Sequence, residues 1–366
     1  MLIYIILLIA IFLYGLLLRT NPTNKGMKLI FLTLSFLSCT LVLGLRGYTV
    51  GEDTAQYINI FNSTNTIPLK EILNPVAKTT YFTDVYGYTN KVENGFLIWC
   101  KIIHTVSNNP QVFLVLTAGL TCFLFAKFIY DNCNEDVFFP TIVFLCESTF
   151  MLSINLTREM LACAIALQAY TFLKNQKLWQ ALVIIFIAFT VHNSALITLI
   201  LIPILLIKPK NTQYAFDLAF AFAIFLPFIV ILMQNTISKL FPTYALYYTK
   251  NYYQNSFGIG TALLMLFEII SIIYMYRKKF IVPNSDKISL LILIYIAFEI
   301  VAYKIVMFSR IALYFRVYLI IFFNKVFQTI NSNYKSIIKY ILLIILVIFY
   351  LSFATSDSRN YVFFWS

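Results

Sequence analysis

The sequence predicts an all-α, polytopic integral membrane protein of about twelve spans. Three observations carry this. Of 366 residues, 61% are hydrophobic and 11% charged, with a mean hydropathy of +0.83. A soluble domain of this length cannot hide so much apolar side chain. Apolar runs recur along the chain at close to the length of a membrane-crossing helix, about 18 residues or more. They are continuous rather than alternating, which argues against a transmembrane barrel. Finally, Lys and Arg, which give a formal charge of +12, fall mostly between the runs. On a soluble protein that balance would suggest nucleic acid. Here it reads as a topology signal, and no nucleic-acid partner is expected.

The runs lie near 2–18, 27–45, 110–130, 137–153, 156–173, 179–207, 214–234, 257–276, 288–306, 309–326 and 337–353. The first lacks a basic leader and a small-residue cleavage site, so it reads as a retained span. The 179–207 run is too long for one untilted helix, and His192-Asn193-Ser194 divides it into two. Arg19, Lys25 and Lys28 place the first turn in the cytoplasm. Alternation then puts Lys174, Lys177, Lys208, Lys210, Arg277, Lys278, Lys279, Lys287, Lys325, Lys335 and Lys339 on the same side. Only the acidic turn with Asp131, Glu135 and Asp136 dissents, and acids weigh little in this rule. The scheme treats 1–366 as a single polytopic domain with a large extracytoplasmic loop, 46–109. Within that loop, 94–107 is too short to span and segregates apolar from polar residues, so an interfacial helix is expected there. The six cysteines show no CxxC pair and mostly fall in apolar runs, as packing residues do.

Chemistry concentrates on the extracytoplasmic face. Residues 45–57 read LRGYTVGEDTAQY, a polar interruption where a long apolar run ends. Arg46, Arg158 and Arg310 fall on that face, with Tyr314 and Arg316 beside the last and Lys304 just before it. A cation at the centre of a membrane helix costs roughly 2.5–3.5 kcal/mol, and less near the interface. An always-charged fork of donors is suited to gripping adjacent phosphates, so three such residues suggest a phosphate or pyrophosphate ligand. The alternative is snorkelling to lipid headgroups. Glu52 and Asp53 beside Arg46 are candidate general bases; Asp53 also suits a helix N-cap before TAQYINIF. His192 is a second candidate base or hydrogen-bond donor. The many tyrosines read as an interfacial belt, with sugar stacking as a second use for a few. Glu147, Asp217, Glu268 and Glu299 lie within runs and need partners or water. No metalloprotease, nucleotide-binding or nucleophile-elbow motif occurs, and neither metal nor cofactor is expected.

The motif LGLRGYTVGEDTAQYINIF resembles the first-loop signature of the EpsG-like family, a branch of the Wzy-type polymerases of O-antigen, capsule and exopolysaccharide. The matching positions are Arg46, Val50, Gly51, Asp53 and Tyr57. A second signature is similar to Arg158 opening an Ala-rich span, a basic turn, then His192, Ser194 and Ala195. Arg310 and Tyr314 in SRIALYFRVY resemble a third. Glu159 departs from the glutamine common at its position, and the loop between Tyr57 and Glu93 is long. The resemblance implies a GT-C-like membrane architecture and a multi-pass protein of the bacterial cytoplasmic membrane. It implies an inverting, metal-independent glycosyltransferase facing the periplasm or exterior. That enzyme would join undecaprenyl-pyrophosphate-linked repeat units. Arg46, Arg158 and Arg310 would hold the leaving pyrophosphate, and Asp53 or His192 would take the acceptor's proton. Gly51, Glu52, Tyr57, Tyr314 and Arg316 would line the substrate site. The implied partners are donor and acceptor glycans, membrane lipid, and a chain-length regulator and flippase of the same pathway. Two other classes compete: a flippase for the same lipid-linked glycans, and a membrane sugar O-acyltransferase using His192.

Overall fold

The computed structural model describes residues 1–21, 23–73, 81–83, 89–133, 135–206, 212–232, 259–277, 285–303, 305–355 and 360–366. Lys208, Lys210, Lys278, Lys279, Lys304 and residues 235–256 lie outside these residues. The described chain is predominantly helical. The exception is a short antiparallel ribbon in the long loop, Tyr81–Thr83 with Thr89–Lys91, where Tyr81 pairs with Lys91. Aromatic and β-branched residues favour strand there.

Where they are described, the apolar runs are predominantly helical. The first ones form α1 (Leu2–Thr20) and α2 (Lys25–Gly44). Asn24 caps α2, its side chain accepting from the N–H groups of Gly26 at 2.8 Å and Met27 at 3.2 Å. In the long loop lie α3 (Thr54–Thr64), α4 (Leu69–Leu73) and α5 (Asn94–His104). The last is one turn shorter than the expected 94–107; the Thr105 hydroxyl ends it by donating to Ile102 O at 2.7 Å. Asn109 caps α6 (Pro110–Asn132), with proline in the first turn where its missing N–H costs nothing. The 137–153 run is not one straight helix. It divides into α7 (Phe138–Cys146) and α8 (Thr149–Asn155), bent by 43° at a left-handed Ser148 with φ +69°. Then come α9 (Thr157–Lys174) and α10 (Leu178–Val191). The expected division of 179–207 occurs at His192, whose backbone is extended. The chain resumes as a 3₁₀ helix, Asn193–Ile200, before α11 (Leu201–Leu206). The acidic turn that dissented from the charge rule has local uses. Asp131 pairs with Lys127, and Asp136 caps α7 by accepting from Phe138 N at 2.9 Å and Phe139 N at 3.1 Å.

By length and apolarity, five described helices qualify as spans, or seven if each bent pair counts once. Others of the expected twelve miss for physical reasons. Leu178–Val191 and the Asn193–Leu206 stretch are short. Thr157–Lys174 and Ser285–Ala302 each carry three charged residues. Outward faces of α1 and of the helix Ser332–Ala354 expose Leu2, Ile6, Leu13, Ile337, Ile344 and Ile348. Helices with apolar faces turned outward along their length fit hydrocarbon, and the chain reads as a multi-pass membrane protein.

The described residues form two compact units: Met1–Leu196 with Phe349–Ser366, and Ile197–Ile348. In the first, α6 packs on α2 and α9, and α9 on α10. Small residues let the helices approach: Ala162, Cys163, Ala164, Ala166 and Ala169 of α9 are all buried. Phe144 of α7 sits 4.9 Å from Phe36 and 4.8 Å from Phe125, ring centre to ring centre. All six cysteines are buried and none forms a disulfide. In the second unit, Ser285–Ala302 packs against Thr212–Leu232, Ile259–Arg277 and the bent pair Met307–Arg316 and Leu319–Thr329.

The α2–α6 crossing depends on Gly44. A Cβ there would lie 2.8 Å from Val115 Cα and 3.0 Å from its Cγ2. Gly44→Ala should therefore destabilise the protein by about 1–3 kcal/mol, whereas Gly119→Ala, whose added carbon would meet Thr40 Cγ2 at 3.6 Å, should be tolerated. Heat-challenged monodispersity in detergent, compared between the two variants, checks this.

Candidate functional site

The Arg46 loop starts where α2 runs out of apolar residues. Arg46 is 1% exposed, and its guanidinium turns inward. Its Nε donates to Thr54 Oγ1 at 3.2 Å, Nη2 to Thr157 Oγ1 at 2.9 Å, and Nη1 to the carbonyl of Leu43. Gln111, in the first turn of α6, donates to the carbonyls of Gly44 and Arg46. A tail segment straps the loop from outside. Gly47 N donates to Val362 O at 2.8 Å, Phe364 N to Leu45 O at 3.1 Å, and the Tyr361 hydroxyl to Val42 O at 2.9 Å. Burial lowers the Arg46 guanidinium to about 10, still charged at neutral pH. Arg46 thus ties α2, α3 and α9 together rather than presenting an open fork.

Gly51 makes the next turn with φ +89°, and a Cβ would fall 2.8 Å from Ile154 O. Only glycine takes that conformation at such close approach without strain. Glu52 is exposed. Asp53 stands at the N-cap position of α3, but its side chain makes no capping bond. Tyr57 is buried and meets Phe96 of α5 edge-on, ring centres 6.1 Å apart. The other histidine, His104, anchors α5 on α3. It stacks on Phe61 at 4.0 Å, and its Nε2 lies 2.8 Å from Phe61 O.

The first turn of α9 carries three consecutive polar side chains, each bound to a different element. Thr157 accepts from Arg46, as above. Arg158 Nη1 lies 2.9 Å from Glu93 Oε2, and its guanidinium carbon is 5.9 Å from the centre of the Phe96 ring. That ion pair is close but off the N–H axis. Among the described residues, Arg158 Nε and Nη1 have no hydrogen-bond acceptor. Glu159 is 1% exposed and accepts from Ser194 Oγ at 3.4 Å. Ser194 Oγ in turn lies 2.5 Å from His192 Nδ1, while Ser194 N is 3.4 Å from that same nitrogen. Glu93 closes the ring: its Oε1 accepts from Asn193 N at 3.0 Å.

Arg46, Arg158 and His192 are therefore joined through one helix turn, with Gly51, Asp53 and Tyr57 on the loop beside it. Glu93 and Glu159 were not singled out by the sequence. Glu93 is a single acid in a polar loop, and Glu159 looked like a departure from a pattern. A cue was present in Glu93-Asn94-Gly95, an acid two residues before a glycine at a helix start. In the second unit, Arg310 is exposed. Tyr314 is 1% and Arg316 8% exposed, and Arg316 Nη1 lies 3.9 Å from Glu299 Oε1 with Tyr295 under its guanidinium at 5.6 Å. Glu299, one of the acids within an apolar run that needs a partner, finds it in Arg316. Among the described residues, no group of three or more His, Cys, Asp or Glu side chains could hold a metal ion.

In chemical terms, the turn offers a charge-balanced arginine with uncommitted donors, suited to phosphate oxygens, beside a hydrogen-bonded histidine. Thr157→Val leaves the buried Arg46 Nη2 without its acceptor and should cost about 1–3 kcal/mol. Thr157→Ser, which keeps the hydroxyl, should restore most of it. Thermal midpoints of the purified variants in detergent measure the difference.

No curated protein and no solved structure matches the chain. A family model, the EpsG family, matches residues 29–365, nearly the whole chain and all three arginine-bearing motifs. The match points to a polysaccharide polymerase of glycosyltransferase type. With its polar ring around the first turn of α9 and its apolar helices, the chain belongs to the EpsG family, a family of Wzy-type polymerases.

Proposed function

We propose that this protein polymerises undecaprenyl-pyrophosphate-linked oligosaccharide repeat units into O-antigen, capsule or exopolysaccharide at the outer face of the bacterial cytoplasmic membrane. The observation that carries the reading is Arg158, a nearly buried cation whose charge Glu93 balances while Nε and Nη1 remain without acceptors. In a chain of this family, oxygens of the donor's pyrophosphate suit those donors.

The acceptor sugar's hydroxyl oxygen attacks the anomeric carbon of the donor glycan from the face opposite the pyrophosphate. A new carbon–oxygen bond forms as the bond to the pyrophosphate oxygen breaks, inverting the anomeric centre. The hydroxyl proton passes to His192 or Asp53, and the electron pair leaves with the pyrophosphate. Arg158 stabilises the charge developing on that leaving group, and the step uses no metal ion. Arg46 acts indirectly, holding Thr157 and so the start of α9. Gly51, Glu52 and Tyr57 shape the adjoining wall. Arg310, Tyr314 and Arg316 remain substrate-binding candidates on the second unit. Membrane lipid carries both substrates, and a chain-length regulator and flippase of the same pathway are the expected partners. In this proposal the chain crosses twelve times with α5 at the outer interface, and this end of α9 faces away from the cytoplasm.

Deleting the gene in its native host should collapse the surface-glycan ladder to single repeat units. Complete loss of surface glycan would point to a flippase, and unchanged length with missing acyl groups to an acyltransferase. Arg158→Ala should reproduce the collapse at normal protein level, with transfer reduced about 10²–10³-fold. Arg158→Lys, a point charge lacking the planar fork, should restore only short polymers. A normal ladder in Arg158→Ala sinks the mechanism.

A further inference from the structure

We infer that Glu93 is a positioning residue for the transfer reaction: one carboxylate fixes both Arg158 and the backbone beside His192 without itself touching substrate. The inference rests on Arg158 as the pyrophosphate-binding residue. Glu93 occupies the N-cap position of α5, yet its side chain makes no local capping bond. Its two oxygens instead reach two elements distant in sequence, Oε1 to Asn193 N at 3.0 Å and Oε2 to Arg158 Nη1 at 2.9 Å. Gly95 makes this reach possible. A Cβ there would come within 2.6 Å of the carbonyl carbon and oxygen of Thr190, so only glycine lets the start of α5 abut the end of α10. That contact brings Glu93 alongside Asn193.

The electrostatics explain why an acid is needed. Side chains of Arg158 and Glu93 are 15% and 9% exposed, and an uncompensated cation at such a site is costly. Glu93 supplies the compensating charge off the N–H axis, so it balances Arg158 without consuming the donors a phosphate would use. Its negative charge also opposes an incoming anion. Glu93 therefore holds Arg158 in place while moderating how tightly the released diphosphate is gripped.

The test uses purified full-length protein in proteoliposomes, with lipid-linked repeat units extracted from the deletion host. Inorganic pyrophosphate serves as the inhibitor probe. Glu93→Gln keeps an acceptor for Asn193 N but removes the charge. Turnover per folded molecule should fall about tenfold. Pyrophosphate should meanwhile inhibit at a concentration lower by about three- to tenfold. Glu93→Ala removes both links and should lower turnover about 100-fold. Glu93→Asp should recover part of that loss. A purely structural residue would change the folded fraction and leave turnover per folded molecule and pyrophosphate inhibition unchanged; that result overturns the inference. So does Glu93→Gln matching wild type. If the wild-type protein itself forms no polymer, the polymerase reading fails, and the role of Glu93 fails with it.

Discussion

Burying a guanidinium beside a membrane is tolerable only when its charge and donors are accounted for, and that constraint organises the first unit. Arg46 meets it with neutral acceptors, two hydroxyls and a carbonyl, one at each of its three nitrogens. Arg158 meets it incompletely, with a carboxylate for its charge but, among the described residues, no acceptor for Nε or Nη1. The contrast separates an arginine that builds the site from one left ready for a ligand. Both act through the first turn of α9, where Thr157, Arg158 and Glu159 each hold a different piece of chain.

The scaffold makes this turn rigid. Buried alanines along α9 let it pack closely, so its start is held by helices as well as hydrogen bonds. The loop carrying Arg46 and Gly51 is tied down by the tail segment around Val362 and by Gln111 of α6. Breaks in regular helix supply the remaining geometry. The extended backbone at His192 exposes an N–H that Glu93 accepts, and the left-handed Ser148 re-aims α8 toward Gly51. Irregular backbone away from water requires protein partners, and beside His192 the partner is a carboxylate of the site, Glu93.

Particular residues show how far the sequence could be read. Apolar runs placed the helices because length and hydropathy are local properties. The division at His192 was visible because a long run cannot stay one span. The bend at Glu147-Ser148 was not, since a left-handed serine leaves no mark in hydropathy. Arg46 and Arg158 stood out because charge is conspicuous in an apolar chain, but their different states were hidden. Nothing in the residue type distinguishes a guanidinium filled by Thr54 and Thr157 from one balanced by Glu93. Glu299 plainly needed a partner within its apolar run, but only folding identifies Arg316 as that partner.

The sequence by itself determined the helical membrane class, the polar loop after α2, and the family signatures around Arg46, Arg158, His192 and Arg310. Those follow from composition and order, which need no folding to be expressed. Only the tertiary structure decided that Glu93 meets both Arg158 and Asn193, and that Glu159 meets Ser194, because those partners lie 65, 100 and 35 residues apart. Contacts at that separation exist only once helix packing has brought the chain ends of α5, α9 and α10 together.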